Sequence, residues 1–184
     1  MTLTPAAFWF LRHGQTDWNK DNLAQGSVDV PLNAHGREQA HAAAAALVGQ
    51  GIASIVCSPL VRARVTGEIV AGKLGLPLEI APDLHEVRFG EMEGKLMLAP
   101  WFGQWIIGAH TPAGAENFAD LSKRAVRAVN AVLAGHEAPV LVIAHGGFFR
   151  GLRAAMGLPP DVRLANAVPQ YCEPGRPWRL TAVA

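Results

Sequence analysis

Val140-Leu141-Val142-Ile143-Ala144-His145-Gly146-Gly147 is the stretch from which the fold is read. An apolar run this short, with no polar alternation, describes a strand buried on both faces rather than a helix. It stops at His-Gly-Gly and is followed by a helix over 148–156. Two other segments share this grammar. Phe8-Trp9-Phe10-Leu11 is uniformly apolar and stops at Arg12-His13-Gly14. The apolar run 52–57 stops at Ser58-Pro59, which reads as a cap with Pro at the first helical position, opening a helix that continues to Leu74. Residues 12–35 read as a long polar loop. An Ala-rich helix follows over 36–48, with Asn33 as its cap. A short strand over 78–80, an amphipathic helix over 116–134 and two tail strands, 168–171 and 178–182, complete the pattern. Strands alternating with helices predict an α/β fold, a three-layer sandwich whose mostly parallel central sheet is flanked by helices. Ligands of such sheets bind beyond the carboxyl ends of the strands. The reactive residues that end these strands are therefore expected on one edge.

The 184 residues are enough for one domain at the usual ~150 residues per domain. A composition of 50% hydrophobic and 17% charged residues excludes a disordered chain. Sixteen Lys+Arg against 15 Asp+Glu argue against nucleic acid or another polyanion as partner. No apolar stretch reaches the ~18 residues of a membrane span, and the N-terminus has no basic leader, so a cytoplasmic address is expected. Cys57 and Cys172 have neither CxxC nor zinc spacing, and Cys57 reads as a small buried hydrophobe. Asp17-x-Asn19-x-Asp21 mimics a calcium loop, but Asn22 and Val28 stand where Gly and Glu are required. Composition carries no sign of oligomeric state.

If Arg12, His13, Arg62 and His145 converge, two guanidinium forks match a tetrahedral dianion such as phosphate. Two imidazoles beside them supply a nucleophile and a hydrogen-bond donor. Phosphoryl transfer needs little beyond an aligned nucleophile, charge neutralisation and a proton for the leaving group. Histidine can carry the phosphoryl group covalently, and a carboxylic acid can protonate the departing alkoxide. Glu86, in a segment that is neither regular helix nor obvious core, is the candidate acid.

Leu11-Arg12-His13-Gly14-Gln15-Thr16-Asp17-Trp18-Asn19 resembles the opening signature of the histidine phosphatase superfamily, the phosphoglycerate mutase-like proteins. The resemblance continues through Gln25-Gly26 and Pro31-Leu32, Ser58-Pro59-Leu60-Val61-Arg62-Ala63, Leu84-His85-Glu86 with Glu93-Gly94, and Ala144-His145-Gly146-Gly147. It implies a phosphoglycerate mutase-like fold over residues 1–184 as a single domain, with a short lid insertion at about 95–115. His13 is then implied to be the nucleophile, with Arg12, Arg62 and His145 completing the phosphate pocket. Asn19 and the Gly146 N–H would add phosphate contacts, and Gln25-Gly26 would meet the rest of the substrate. Glu86 would act first as general acid and then as base. No metal and no cofactor are implied, and the partner is a small phosphate ester.

Met92 stands where the family usually has Trp, and Ala115 and Asn117 depart from its Pro-x-Gly-Gly-Glu-Ser pattern. Between Leu96 and Ser122 there is no Lys or Arg. Mutases of the family carry basic residues in an inserted cap, so hydrolysis is favoured over mutase activity, and the apolar lid points to a substrate with an uncharged body. Phosphoglycerate mutase is the alternative reading. A catalytically idle phosphate- or partner-binding module is the alternative from another class. Ser58 is expected to cap its helix, Thr66 to bond locally, Trp101, Phe102, Trp105 and Ile106 to form the lid's own core, and His35, His41, His85, His110 and His136 to lie on the surface.

Overall fold

The computed structural model describes residues 2–97 and 100–183, so residues 98 and 99 of the expected lid lie outside the described residues. Strands β1 (Phe8–Arg12), β2 (Ser54–Cys57), β3 (Leu78–Ile80), β4 (Val140–Ala144), β5 (Gln170–Glu173) and β6 (Arg179–Ala182) form one sheet in the order β3-β2-β4-β1-β5-β6. β3, β2, β4 and β1 run parallel. β5 is antiparallel to β1, and β6 to β5, so the sheet is mixed but mostly parallel.

Within the uniformly apolar strands, alternate residues serve opposite faces, as the two-residue repeat of a strand requires. Phe8, Phe10, Val140, Val142 and Ala144 pack on α5 (Phe118–Gly135) and α6 (Gly146–Ala155), which supply Val126, Val129, Phe148 and Phe149. Trp9, Leu11, Ile55, Cys57, Leu141 and Ile143 pack on α2 (Ala34–Ala46) and α3 (Val61–Leu74), through Ala43, Ala44, Val70 and Ala71. Helix, sheet, helix are the three layers. Each fully buried aliphatic side chain contributes about 1.5–3 kcal/mol relative to exposure, so β4, buried at every position, anchors both cores.

Register then levels the strand ends. Arg12 lies opposite Ala144, and Cys57 opposite Ile143. The next backbone groups continue the ladder, His13 N–H donating to Ala144 O and Ser58 N–H to Ile143 O, each at 3.0 Å. His13, Ser58 and His145 consequently emerge side by side.

Three local expectations are corrected. The 12–35 loop contains a short helix, α1 (Asp17–Lys20), closed by a reciprocal capping box between Thr16 and Asn19. α3 begins at Val61 rather than directly after Ser58, and its N-cap, Leu60, offers no side-chain bond. Ser58 is therefore not the cap. His85 and His136 are half-buried rather than on the surface, His136 lying 3.1 Å from Glu79.

The segment after Met97 forms α4 (Pro100–Ile106). Trp101, Trp105 and Ile106 join Ala24, Val87, Phe89 and Leu121 in a third apolar cluster, so these aromatics share a core with residues outside 95–115 rather than forming one of their own. Both indoles are satisfied, Trp101 Nε1 donating to Leu96 O at 3.0 Å and Trp105 Nε1 to Glu116 O at 2.8 Å. Among the described residues no helix is long and apolar enough to cross a membrane.

Candidate active site

The turn after β1 is fixed by close backbone approach. A Cβ on Gly14 would run into the Gly36 carbonyl, and one on Gly36 into the Gln15 carbonyl, so this turn seats directly on the start of α2. Gly14 N–H donates to Thr66 Oγ1 at 3.1 Å, and that hydroxyl donates to Arg62 O at 2.7 Å. Thr66 thus ties the β1 turn to α3 as well as bonding locally.

His13 is 2% exposed, and its Nδ1 lies 2.7 Å from Gly14 O. A carbonyl can only accept, so the network assigns the proton to Nδ1 and leaves the Nε2 lone pair free. Burial, then the charges of Arg62 and Arg12, hold the His13 pKa well below 6.5 and keep the ring neutral. His145 is fully buried with its ring centroid 5.2 Å from that of His13. Burial, then Arg62, depresses it in the same way. Its Nε2 lies 2.6 Å from Ser58 Oγ, which also accepts the Leu60 N–H at 3.3 Å. His145 Nε2 is the acceptor at hand for that hydroxyl among the described residues, and the tautomer that lets Ser58 donate to it carries the proton on Nδ1. That buried Nδ1 has no protein partner.

Arg12 and Arg62 are buried, at 7% and 0% exposure, and among the described residues neither forms an ion pair with a carboxylate. Arg62 donates to Gly26 O and Val28 O, each at 2.9 Å, and Arg12 to Leu164 O at 2.6 Å. Both Nε atoms are buried without partners. Burial, followed by the like charge of Arg163, lowers Arg12 to about 10, so it stays cationic at neutral pH. Buried cations without counter-charges are costly, and an anion between them relieves that cost. Asn19 completes the capping box and accepts from Asn166 Nδ2 at 3.0 Å, while the buried Gln25 Oε1 has no partner.

Glu86 comes from the segment that follows β3. Its Oε1 accepts the N–H groups of Val87 at 2.9 Å and Phe148 at 2.7 Å, and its Oε2 accepts that of Gly147 at 2.9 Å. The carboxylate thus caps the first turn of α6. The Gly146 N–H, at the first helical position, has no intrahelical acceptor. Gly147 has to lack a side chain, because its Cβ would lie 2.6 Å from Val87 Cγ1 and 2.7 Å from Glu86 Oε1.

Behind Glu86 stands a cation that sequence reasoning missed. Arg124 of α5 holds Glu116 bidentately at 2.9 and 2.7 Å and donates to Asp83 O at 3.0 Å and His85 O at 2.8 Å. It clamps the segment carrying Glu86 onto α5. Arg124→Met leaves a largely buried carboxylate and two carbonyls without their donor. Its unfolding free energy in urea is expected to fall by about 3–5 kcal/mol, with part recovered on adding Glu116→Gln.

Arg12, His13, Asn19, Gln25, Gly26, Glu86 and Gly146 all line one cavity of about 300 Å³. Arg62 and His145 do not line it, yet Arg62 acts on His13 through its charge and the His145 ring lies beside that of His13. The cavity wall also includes Phe102, Arg150, Asp161 and Arg163, none of which the sequence marked as a site residue.

Comparison with known proteins shows the family and the fold. The sequence family described as histidine phosphatase superfamily (branch 1) matches residues 8–172. Glucosyl-3-phosphoglycerate phosphatase of Mycolicibacterium vanbaalenii is 36% identical over 167 residues, covering 82% of this chain and 74% of the relative. A probable phosphoglycerate mutase, GpmB of Yersinia enterocolitica, is 34% identical over 176 residues, covering 86% and 80%. Adenosylcobalamin/alpha-ribazole phosphatase of Escherichia coli is 32% identical over 177 residues, covering 89% and 86%. The solved structure of mycobacterial glucosyl-3-phosphoglycerate phosphatase with VO3 superposes with a TM-score of 0.82 at 30% identity, covering 95% of this chain and 96% of that one.

Proposed function

The chain belongs to the histidine phosphatase superfamily, branch 1, and from that premise we propose that it hydrolyses a small phosphate monoester through phosphohistidine on His13. The observation that carries this reading is a neutral imidazole, its Nδ1 committed to Gly14 O, beside two buried guanidiniums that form no ion pair among the described residues and whose Nε atoms have no partner. His13 Nε2 attacks phosphorus as the ester P–O bond breaks, and Glu86 gives its proton to the leaving alkoxide. Water then attacks phosphorus while Glu86 takes its proton, the P–N bond breaks with its electron pair returning to His13 Nε2, and inorganic phosphate departs. Oε2 of Glu86, which has a single N–H donor against two on Oε1, keeps the lone pair for that proton.

Arg12, Arg62, the His145 Nδ1–H and the Gly146 N–H neutralise the phosphoryl oxygens, with Asn19 beside them. Donors that are preorganised and buried act most strongly where charge develops. Gln25 and Gly26 face the leaving group. On this reading residues 1–184 make one catalytic domain, with 95–115 as a short lid. A cavity of about 300 Å³ is at the small end of ligand sites, in keeping with a metabolite-sized ester.

The relatives named as phosphatases favour hydrolysis, while GpmB keeps the mutase reading in view. Incubation with 3-phosphoglycerate separates the two, and a panel of phosphomonoesters is run beside it. Release of free phosphate, unaffected by a metal chelator, is the expected outcome. Conversion to 2-phosphoglycerate without phosphate release would establish a mutase. Phosphate binding with no turnover across the panel would establish an idle binding module.

A further inference from the structure

Between Leu96 and Ser122 there is no Lys or Arg, yet two arginines from the far end of the chain reach the same cavity. Arg150 projects from α6, its guanidinium 5.0 Å from the centre of the Phe102 ring and its Nη1 donating to Pro160 O at 2.7 Å. Arg163, in the segment after α6, donates to Asn22 Oδ1 at 3.0 Å. A guanidinium carries five N–H donors, and each of these two has one such bond among the described residues. Neither forms an ion pair there, although Asp161 lines the same rim.

Both guanidiniums are therefore steered into place and still have donors to offer. Arg163 is also the strongest like charge acting on Arg12, so the cavity brings together cations whose repulsion an anion would relieve. The buried Arg12 and the exposed Arg163 mark two depths. A phosphoryl group held by Arg12 and His13 sits at the base, which leaves the rim for another part of the same molecule.

We propose that Arg150 and Arg163 form a second anion subsite at the cavity rim, which takes a further acidic group, a carboxylate or a second phosphate, on the body of the substrate. This rests on the phosphatase reading above and reverses the uncharged body implied by the apolar lid. Stacking on Phe102 and the bond to Asn22 pre-orient the two forks, so little ordering is needed on binding.

The test compares matched esters. 3-Phosphoglycerate and glycerol 3-phosphate differ in one carboxylate, and fructose 1,6-bisphosphate and fructose 6-phosphate in one phosphate. The wild-type protein is expected to favour the more acidic member of at least one pair by about 10- to 100-fold in kcat/KM, mainly through KM. The pair that shows the preference identifies the acidic group. Arg163→Gln and, separately, Arg150→Gln are expected to bring that ratio to within about threefold of unity. Turnover of both members at equal kcat/KM in both pairs would overturn the subsite alone, as would a preference unchanged in both variants. Hydrolysis of none of the four esters would overturn the phosphatase reading and the subsite with it.

Discussion

His13→Ala is expected to lower phosphomonoester turnover by about 10⁴-fold or more, because it removes the atom that carries the phosphoryl group rather than one that merely stabilises it. Quenching the wild-type protein during turnover of a labelled ester should trap protein-bound phosphate that is acid-labile and base-stable. The variant should trap none. A variant that retains full activity, or that still forms the adduct, would end the proposed mechanism. His13→Asn serves as the folding control, since its side-chain amide offers Gly14 O a substitute donor.

Proton linkage gives a second readout. The unfolded imidazoles of His13 and His145 take a proton below pH 6.5, while burial keeps the folded ones neutral to much lower pH. Below 6.5 the unfolded state therefore binds more protons, and stability falls as the pH drops through that value. Above it, this contribution is fully present. Removing the His13 imidazole should flatten the acid limb of a plot of stability against pH while that of His145 persists.

Glu86→Gln is the other substitution with a large expected effect. Loss of a general acid costs about 10²- to 10⁴-fold. The readout is kcat/KM, which reports phosphorylation of His13 and not the later hydrolysis shared by all esters. There the loss should be near the upper end for alkyl phosphates and much smaller for p-nitrophenyl phosphate, whose leaving group departs readily as an anion. Equal losses of kcat/KM on both esters would remove Glu86 from protonation of the leaving group. A stability change accompanies the kinetic one. The carboxylate accepts N–H groups from Val87, Gly147 and Phe148 across its two oxygens, whereas an amide has one acceptor oxygen. At least one buried donor loses its acceptor, at about 1–3 kcal/mol.

The half of the candidate site proposed to be catalytic was legible because its residues end buried strands. An apolar run on both faces announces itself, and the residue that terminates it is already at the ligand-binding edge. Arg12, His13 and His145 are of this kind. Ser58 was misread because Ser followed by Pro imitates a helix start. Its actual partner, His145, lies 87 positions away and can be seen only in three dimensions. α1 was missed because a four-residue helix has no periodicity, and the Thr16–Asn19 box is its only local mark. Arg124, Arg150 and Arg163 look like ordinary solvated arginines on helices and loops. Their roles depend on packing that brings α5, α6 and the following segment to the cavity.

Arg62 joins two jobs that mutagenesis ordinarily treats as separate. The residue whose charge weighs most on His13 also grips Gly26 O and Val28 O, in the loop that lines the leaving-group side. A ligand that draws this guanidinium inward would loosen its hold on that loop, so occupancy at the base can be felt at the mouth. On the proposed mechanism, phosphate arrival and loop position would be linked through this one guanidinium, for the incoming ester and for the inorganic phosphate that leaves.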